Sequence, residues 1–416
     1  MWSDRPAPER LRELMAKMHS VAASDAGGFR TESSAWLNVF YNRPLMTLSY
    51  WGGYAVAAGP AGTIKIPGCG FEILEAMLES WRGRSDLVLV GFLSYDLASE
   101  IEDLGPAPLA GFDFPKFHFG LYKARQTSAC AETAAGAVDK LTLALPDRAA
   151  FEASVKRIVA AIHAGEIFQT NLCRSIEVQT EPGNEWELFR RMRSINPARY
   201  EGFLRVDSRR SVLSMSPELF LKVENGIVES QPIKGTRPRG GNPENDDTLA
   251  RELQTSEKDR AELAMIVDVA RNDLGRVCET GSVEVIAHAE LMSLPTVHHL
   301  FSTVKGRLRE GIGPVDLLRA TFPAASITGA PKIEAMRIAK REEGQERGPC
   351  MGAIGWISLD GRMELSVAIR TAFAIDGRVR YYSGCGITAG SDPQAEFEES
   401  SHKAAAFERA LRREGF

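Results

Sequence analysis

Pro232-Ile233-Lys234-Gly235-Thr236 holds one lysine between a proline and a glycine. Proline fixes its own backbone dihedral, and glycine admits conformations closed to other residues. The segment therefore reads as a constrained loop rather than a helix surface. A lysine held this way becomes a nucleophile when burial or a neighbouring cation lowers its pKa. Taken alone, the same five residues also describe a solvated surface loop, because most lysines are exposed. The residues on either side decide between the two.

Upstream, residues 167–178, 211–214, 219–223 and 227–230 read as strands, and 151–164 has helical spacing. Downstream, 256–271 reads as a long amphipathic helix, with further helices at 314–320, 331–342 and 395–413. Strands are expected at 297–308, 353–359, 367–374 and 378–384. Nearer the N-terminus, 46–50 and 87–90 read as strands and 72–82 as a helix. Many strands with several helices, but no regular strand–helix alternation, predict an α+β architecture. The Ala-rich, aromatic-poor stretch 124–140 marks a boundary. It divides an N-terminal part, 1–140, from a denser region, 141–416.

Composition narrows the function. The chain has 416 residues, 44% of them hydrophobic, which is ample for a large core. Its 50 Lys and Arg against 55 Asp and Glu leave a net charge of −5 and no basic stripe for nucleic acid. No run of about 18 apolar residues suggests a membrane span, and the first residues lack the apolar core of a secretory signal. The six cysteines (69, 130, 173, 278, 350 and 385) are scattered, with no Cys-x-x-Cys pair. Ordinary thiols in a reducing, cytoplasmic setting are expected rather than a zinc cage.

Two helices present carboxylates on one face. Asp259 and Glu262 are three apart on the first; Glu396, Glu399 and Lys403 share a face of the last. Each face alone reads as a solvated acidic surface. Together they could converge on a hard divalent cation such as Mg²⁺, which takes oxygen ligands and needs only one or two carboxylates. Ser383-Gly384-Cys385-Gly386-Ile387, ahead of the last helix, would let backbone N–H groups approach an anion.

These segments, in order, resemble the chorismate-utilising enzymes. The likeness rests on Ile167-Phe168-Gln169-Thr170-Asn171-Leu172, Ser216-Pro217-Glu218-Leu219-Phe220 and the Lys234 pentapeptide. It continues through Lys258-Asp259-Arg260-Ala261-Glu262, the Ile266 to Asp273 run and Val297-His298-His299-Leu300. Ser326-Ile327-Thr328-Gly329-Ala330-Pro331-Lys332, Gly352-Ala353-Ile354-Gly355, Ala368-Ile369-Arg370-Thr371 and Gly384-Cys385-Gly386-Ile387 complete it. The resemblance spans about 167 to 403.

It implies a fold: a large β-sandwich of two sheets flanked by helices, with the site between the sheets. It also implies a site. Mg²⁺ would be held by Glu262 and Glu399, with Asp259 and Glu396 beside them. Arg370 and the backbone at Gly384 and Gly386 match positions that hold substrate carboxylates, a natural role for a guanidinium and backbone donors. Lys403 matches a lysine on the metal-binding helix, His299 an active-site histidine, and Glu218 a general acid. Gln169 and Thr328 are expected to line the site; His298 is expected to face the other side of its strand.

Two positions separate the family's chemistries. Members that add water at ring C2 carry a lysine base where this chain has Gln169, and glutamine cannot take a proton from water. Anthranilate-forming members carry alanine where this chain has Lys234; the aminodeoxychorismate synthase component I branch carries lysine. The resemblance therefore implies conversion of chorismate and ammonia to 4-amino-4-deoxychorismate through a Lys234 adduct, for 4-aminobenzoate and folate synthesis. The alternatives are an anthranilate-forming component and a non-catalytic subunit of the same fold. No cysteine lies in a glutaminase-like context, so ammonia is expected from a separate glutamine amidotransferase subunit. Trp356 stands where relatives often have tyrosine.

Overall fold

Two antiparallel sheets, joined by short crossovers, carry the chain in this computed structural model. It describes residues 28–30, 40–42, 44–60, 62–106, 113–123, 142–144 and 147–412. The expected boundary at 124–140 lies outside the described residues.

Among the described residues, the first sheet has nine strands. Its order runs from Gly329–Ala330 through Gln169–Gln179, Arg378–Ile387, Thr371–Ile375, Arg210–Ser216 and Tyr200–Arg205 to Gly28–Arg30 and Phe40–Asn42. Thr142–Ala144 adds to Gln169–Gln179. The second sheet has twelve strands. One end is built from Ile233–Pro238, Val297–Arg307 and Glu284–Ser293, followed inward by Ile227–Gln231, Leu219–Glu224 and Met363–Val367. Ala353–Ser358 then pairs with Leu87–Leu93, and the sheet ends in Phe117–Lys123, Met46–Tyr50, Tyr54–Gly59 and Gly62–Pro67. Early and late parts of the sequence thus share one sheet. The expected α+β sandwich of two sheets with flanking helices is the fold observed.

Helices cover the first sheet. Arg148–His163 and Lys332–Glu343 bury Phe151, Val155, Ile158, Ala335 and Ile338 against Leu172 and Ile387. Glu185–Ile195 and Pro393–Leu411 bury Leu188, Phe189, Ala404 and Phe407 against Ile176, Val379 and Tyr381. The helix Glu257–Gly275 begins where Ser256 Oγ accepts from Asp259 N at 3.3 Å, an N-cap. Leu263, Ile266, Val267, Ala270 and Leu274 follow helical spacing and are buried. Full burial of Leu263 and Ile266 contributes roughly 1.5–3 kcal/mol each. This face fixes the helix beside Val297–Arg307, and with it the direction of Glu262.

Two expectations are corrected. The Lys234 pentapeptide is not a free loop: Ile233–Pro238 is a strand, with Lys234 opposite Leu300 on Val297–Arg307. The register slips between Lys234 and Thr236, where Gly235 has φ of +72°. A Cβ at Gly235 would lie 2.8 Å from Leu253 Cδ1, so the turn signal was a bulge inside a strand. The run 367–374 is likewise not one strand. Met363–Val367 belongs to the second sheet and Thr371–Ile375 to the first, with Arg370 at φ +49° between them. No Gly, Pro, Asn or Asp interrupts the run, so local sequence could not reveal the crossing.

Ser216-Pro217-Glu218 makes a parallel crossing, from Arg210–Ser216 of the first sheet to Leu219–Glu224 of the second. The two crossovers hydrogen-bond to each other's strands. Val367 N donates to Glu218 O at 3.0 Å, and Met215 N donates to Arg370 O at 3.1 Å. Glu218 and Arg370 are thereby placed where the sheets meet.

Candidate active site

Lys234 and Glu218 lie close enough at this junction for each to act on the other's charge. The Glu218 side chain is buried, and burial pushes its carboxyl up to about 7 despite the pull of Ser326 and Lys234. Burial pushes the Lys234 ammonium below the ordinary lysine value; Lys403 adds to the depression, while Glu262, Glu218 and Glu399 oppose it. An acid that keeps its proton near neutrality beside an amine that can lose one suits nucleophilic attack with proton delivery.

Gly386 brings the opposite wall close. A Cβ there would sit 2.4 Å from Gln169 Nε2 and 3.3 Å from Lys234 Nζ. Gln169, Lys234 and Gly386 therefore meet at one point. Gln169 is buried, and its Oε1 has no hydrogen-bond partner among the described residues. Gly384 O accepts from Lys403 Nζ at 3.2 Å.

His299 is buried and its hydrogen bonds fix its tautomer. Nδ1 lies 3.1 Å from Gly235 O, which can only accept, so Nδ1 carries the proton. Nε2 then accepts from the Arg370 guanidinium at 3.2 Å. Burial and the Arg370 charge push the imidazole down to about 3, so it stays neutral. His298 points elsewhere: Nε2 meets Asp246 Oδ1 at 2.9 Å and Nδ1 meets Ser293 at 2.8 Å, a structural role.

Burial raises the pKa of Glu262 and of Glu396, and neighbouring carboxylates add to it: Asp259 and then Glu399 beside Glu262, Glu399 beside Glu396. Burial also acts upward on Glu399, but Lys403 Nζ, 2.6 Å from its Oε1, holds it down. Asp259 is held in an ion pair with Arg237 at 3.1 Å. Thr328 is buried, with its hydroxyl proton committed to its own turn, 3.1 Å from Ala325 O. Sequence reasoning passed over Cys385, whose Sγ lies within 4.8 Å of the Glu396 and Glu399 oxygens. Burial keeps this thiol protonated, and it donates to Glu396 O at 3.2 Å. Its only sequence signal was its place between two glycines.

A buried scaffold holds the Gln169 strand in place. Arg347 pairs with Glu343 through two bonds of 2.7 and 2.8 Å, and donates to Asn171 O at 2.7 Å and Ile327 O at 3.3 Å. Glu343 Oε1 also accepts from Cys173 N at 2.7 Å.

The sequence pattern described as chorismate binding enzyme matches residues 69–409. The chain belongs to the chorismate binding enzymes. Within this family it is 48% identical over 251 residues to the aminodeoxychorismate synthase of Streptomyces griseus, covering 60% of this chain and 34% of that protein. It is 43% identical over 267 residues to anthranilate synthase component 1 of Streptomyces coelicolor, covering 64% of this chain and 52% of that one. These matches span about a third and about half of the curated relatives' lengths. The crystal structure of anthranilate synthase component I from Streptococcus pneumoniae superposes with a TM-score of 0.76 at 27% identity, covering 94% and 93% of the two chains. The match reaches well upstream of the motifs, to residue 69, consistent with the shared second sheet.

Proposed function

We propose that the chain is an aminodeoxychorismate synthase component I, converting chorismate and ammonia to 4-amino-4-deoxychorismate. What carries this reading is the place of Lys234, beside Gly386 and Gln169, where desolvation lowers its pKa and Glu218 is near enough to act on its charge. Lys234 Nζ attacks ring C2; the ring electrons shift and the C4–O bond breaks. Glu218 gives its proton to the departing hydroxyl, which leaves as water. Ammonia then bonds to C4, the C2–Nζ bond breaks, and the Glu218 carboxylate takes a proton from the new ammonium group. Two moderate steps replace one hard displacement.

Arg370 holds a substrate carboxylate, while neutral His299 orients the guanidinium. The residues present fit Mg²⁺: hard oxygen donors whose mutual repulsion a cation would relieve. Glu262 and Glu399, with Glu396 beside them, would hold it. When bound, Mg²⁺ neutralises a substrate carboxylate. Asp259, in its ion pair, acts as a neighbour rather than a ligand. Lys403 keeps Glu399 ionised, and Gly386 keeps space open around Lys234.

Ammonia comes from a separate glutamine amidotransferase subunit, and the product feeds 4-aminobenzoate and folate synthesis in the cytoplasm. A second reading, anthranilate formation, is favoured by the similar identity to the Streptomyces coelicolor relative. Product analysis by liquid chromatography and mass spectrometry separates the two. Chorismate, Mg²⁺ and ammonium should yield aminodeoxychorismate, converted to 4-aminobenzoate only when a lyase is added. Anthranilate as the product overturns the first reading.

A further inference from the structure

Ser326 stands out in the turn that follows Phe322. Every other polar side chain of this turn is satisfied. Lys332 Nζ donates to Asp273 at 2.6 Å, Thr321 O at 2.8 Å and Pro323 O at 2.7 Å. The Thr328 hydroxyl is taken up by Ala325 O. Ser326 is only 6% exposed, and its Oγ has no hydrogen-bond partner among the described residues. A buried, unpaired hydroxyl is a cost that native structures rarely keep without a use.

The turn is packed directly against the Glu218 crossover. Phe322 meets the Phe220 ring edge-on, with centroids 6.2 Å apart. Gly329 and Ala330 pair with Thr170 and Gln169, and Asn171 N donates to Thr328 O at 2.8 Å. The hydroxyl lies close enough to the Glu218 carboxyl to act on it as a donor, but it makes no well-aligned hydrogen bond there. A protonated Glu218 has little need of it.

We propose that Ser326 is a positioning residue for Glu218: its hydroxyl turns to donate a hydrogen bond to the carboxylate that forms when Glu218 gives up its proton. Hydrogen bonds to an ionised acceptor are about twice as strong as neutral ones, so the interaction strengthens as charge develops. No atom is transferred from Ser326. The hydroxyl keeps its own proton throughout, and the proton delivered to the leaving oxygen is the one from Glu218. This role rests on the general-acid reading of Glu218, but not on which amino product is released.

The test is a double-mutant cycle on the full chain with chorismate, Mg²⁺ and ammonium. Ser326→Ala is expected to lower kcat by roughly tenfold to a hundredfold with KM little changed. Its melting temperature should hold or rise, because the unpaired hydroxyl is gone. The alkaline limb of its pH profile should move up, since the carboxylate loses a donor; Ser326→Thr should restore part of the rate. In a Glu218→Gln background, Ser326→Ala should cost nothing further. Additive losses, or wild-type kcat with an unshifted limb, overturn the proposal. A Glu218→Gln enzyme with full turnover would instead remove the general-acid reading itself, whatever Ser326 does. If Ser326→Ala melts early, Ser326→Gly repeats the cycle; early melting of both, with kcat per folded molecule unchanged, also overturns the proposal.

Discussion

Lys403 and Lys234 share one site and are driven in opposite directions. Burial opposes the Lys403 charge, but the Glu399 carboxylate 2.6 Å away outweighs it and holds the ammonium above its ordinary value. Lys234 is pushed down by burial and further by Lys403 itself. One lysine is a fixed cation; the other is the titratable amine. Two residues identical in type thus receive separate duties from their neighbours alone.

Lys234→Ala should abolish the amine that forms the adduct. Turnover to aminodeoxychorismate should fall by roughly a thousandfold or more, while chorismate still binds. Calorimetric titration together with product analysis checks both halves. Undiminished turnover would remove Lys234 from the mechanism.

The rate should respond to pH on both sides. Lys234 must lose its proton, so the acid limb reflects a lysine depressed below its ordinary value. Glu218 must keep its proton, so the rate falls as pH rises through about 7. The pair titrates as a unit, and the two limbs belong to it jointly. Lys403→Gln removes a positive charge and should raise the Lys234 pKa, moving the acid limb to higher pH. A limb that stayed in place would show that the two lysines are not coupled.

Gly386→Ala should leave the fold intact and harm the site. The added Cβ must displace the Gln169 amide and crowd Lys234 Nζ. A fall in kcat/KM of roughly tenfold to a hundredfold is expected, because small misplacements of reacting groups are costly. Steady-state kinetics beside a melting curve separates this from unfolding.

Arg347→Met tests stability rather than chemistry. Arg347 and Glu343 are both about 2% exposed in their side chains, so the substitution strands a buried carboxylate. A loss of about 3–5 kcal/mol is expected from urea unfolding. Replacing both, Arg347→Met with Glu343→Leu, should recover much of it.

Glu262→Gln and Glu399→Gln should each raise the Mg²⁺ concentration needed for activity. They should also shrink any Mg²⁺-dependent rise in melting temperature, since ligand binding stabilises by mass action. Equal Mg²⁺ responses in wild type and both variants would place the ion elsewhere.

Much of this was legible in the residues. The two helices whose carboxylates approach the site were read from their spacing, and the structure caps them with Ser256 and Asp392. The strand pattern at 219–223 and 227–230 was sound, with Leu219, Phe220, Leu221, Val223 and Val228 buried. Helices Glu185–Ile195 and Pro243–Thr255 were missed, though Asn242 caps the second with its side chain. That second helix supplies Asp246, the partner of His298, so the structural role of His298 could be expected but not its partner. Tertiary facts lay beyond any local signal. Nothing in 367–374 shows that the chain changes sheets at Arg370, and nothing near Asp259 shows that Arg237 claims it. Gly235 looked like a loop because glycine marks bulges and turns with the same residue type.

The two crossovers have a wider consequence. On the proposed reading, the general acid Glu218 and the carboxylate-holding Arg370 are set where the sheets are joined, so their spacing is a property of the whole sandwich. Lys234 stands instead on a bulged strand in one sheet. A chain built this way separates the grip on the ring from the choice of reaction. On that reading, one side chain at 234 can be exchanged while the same ring remains held and its departing hydroxyl protonated, and a lineage can acquire a new product without rebuilding its scaffold.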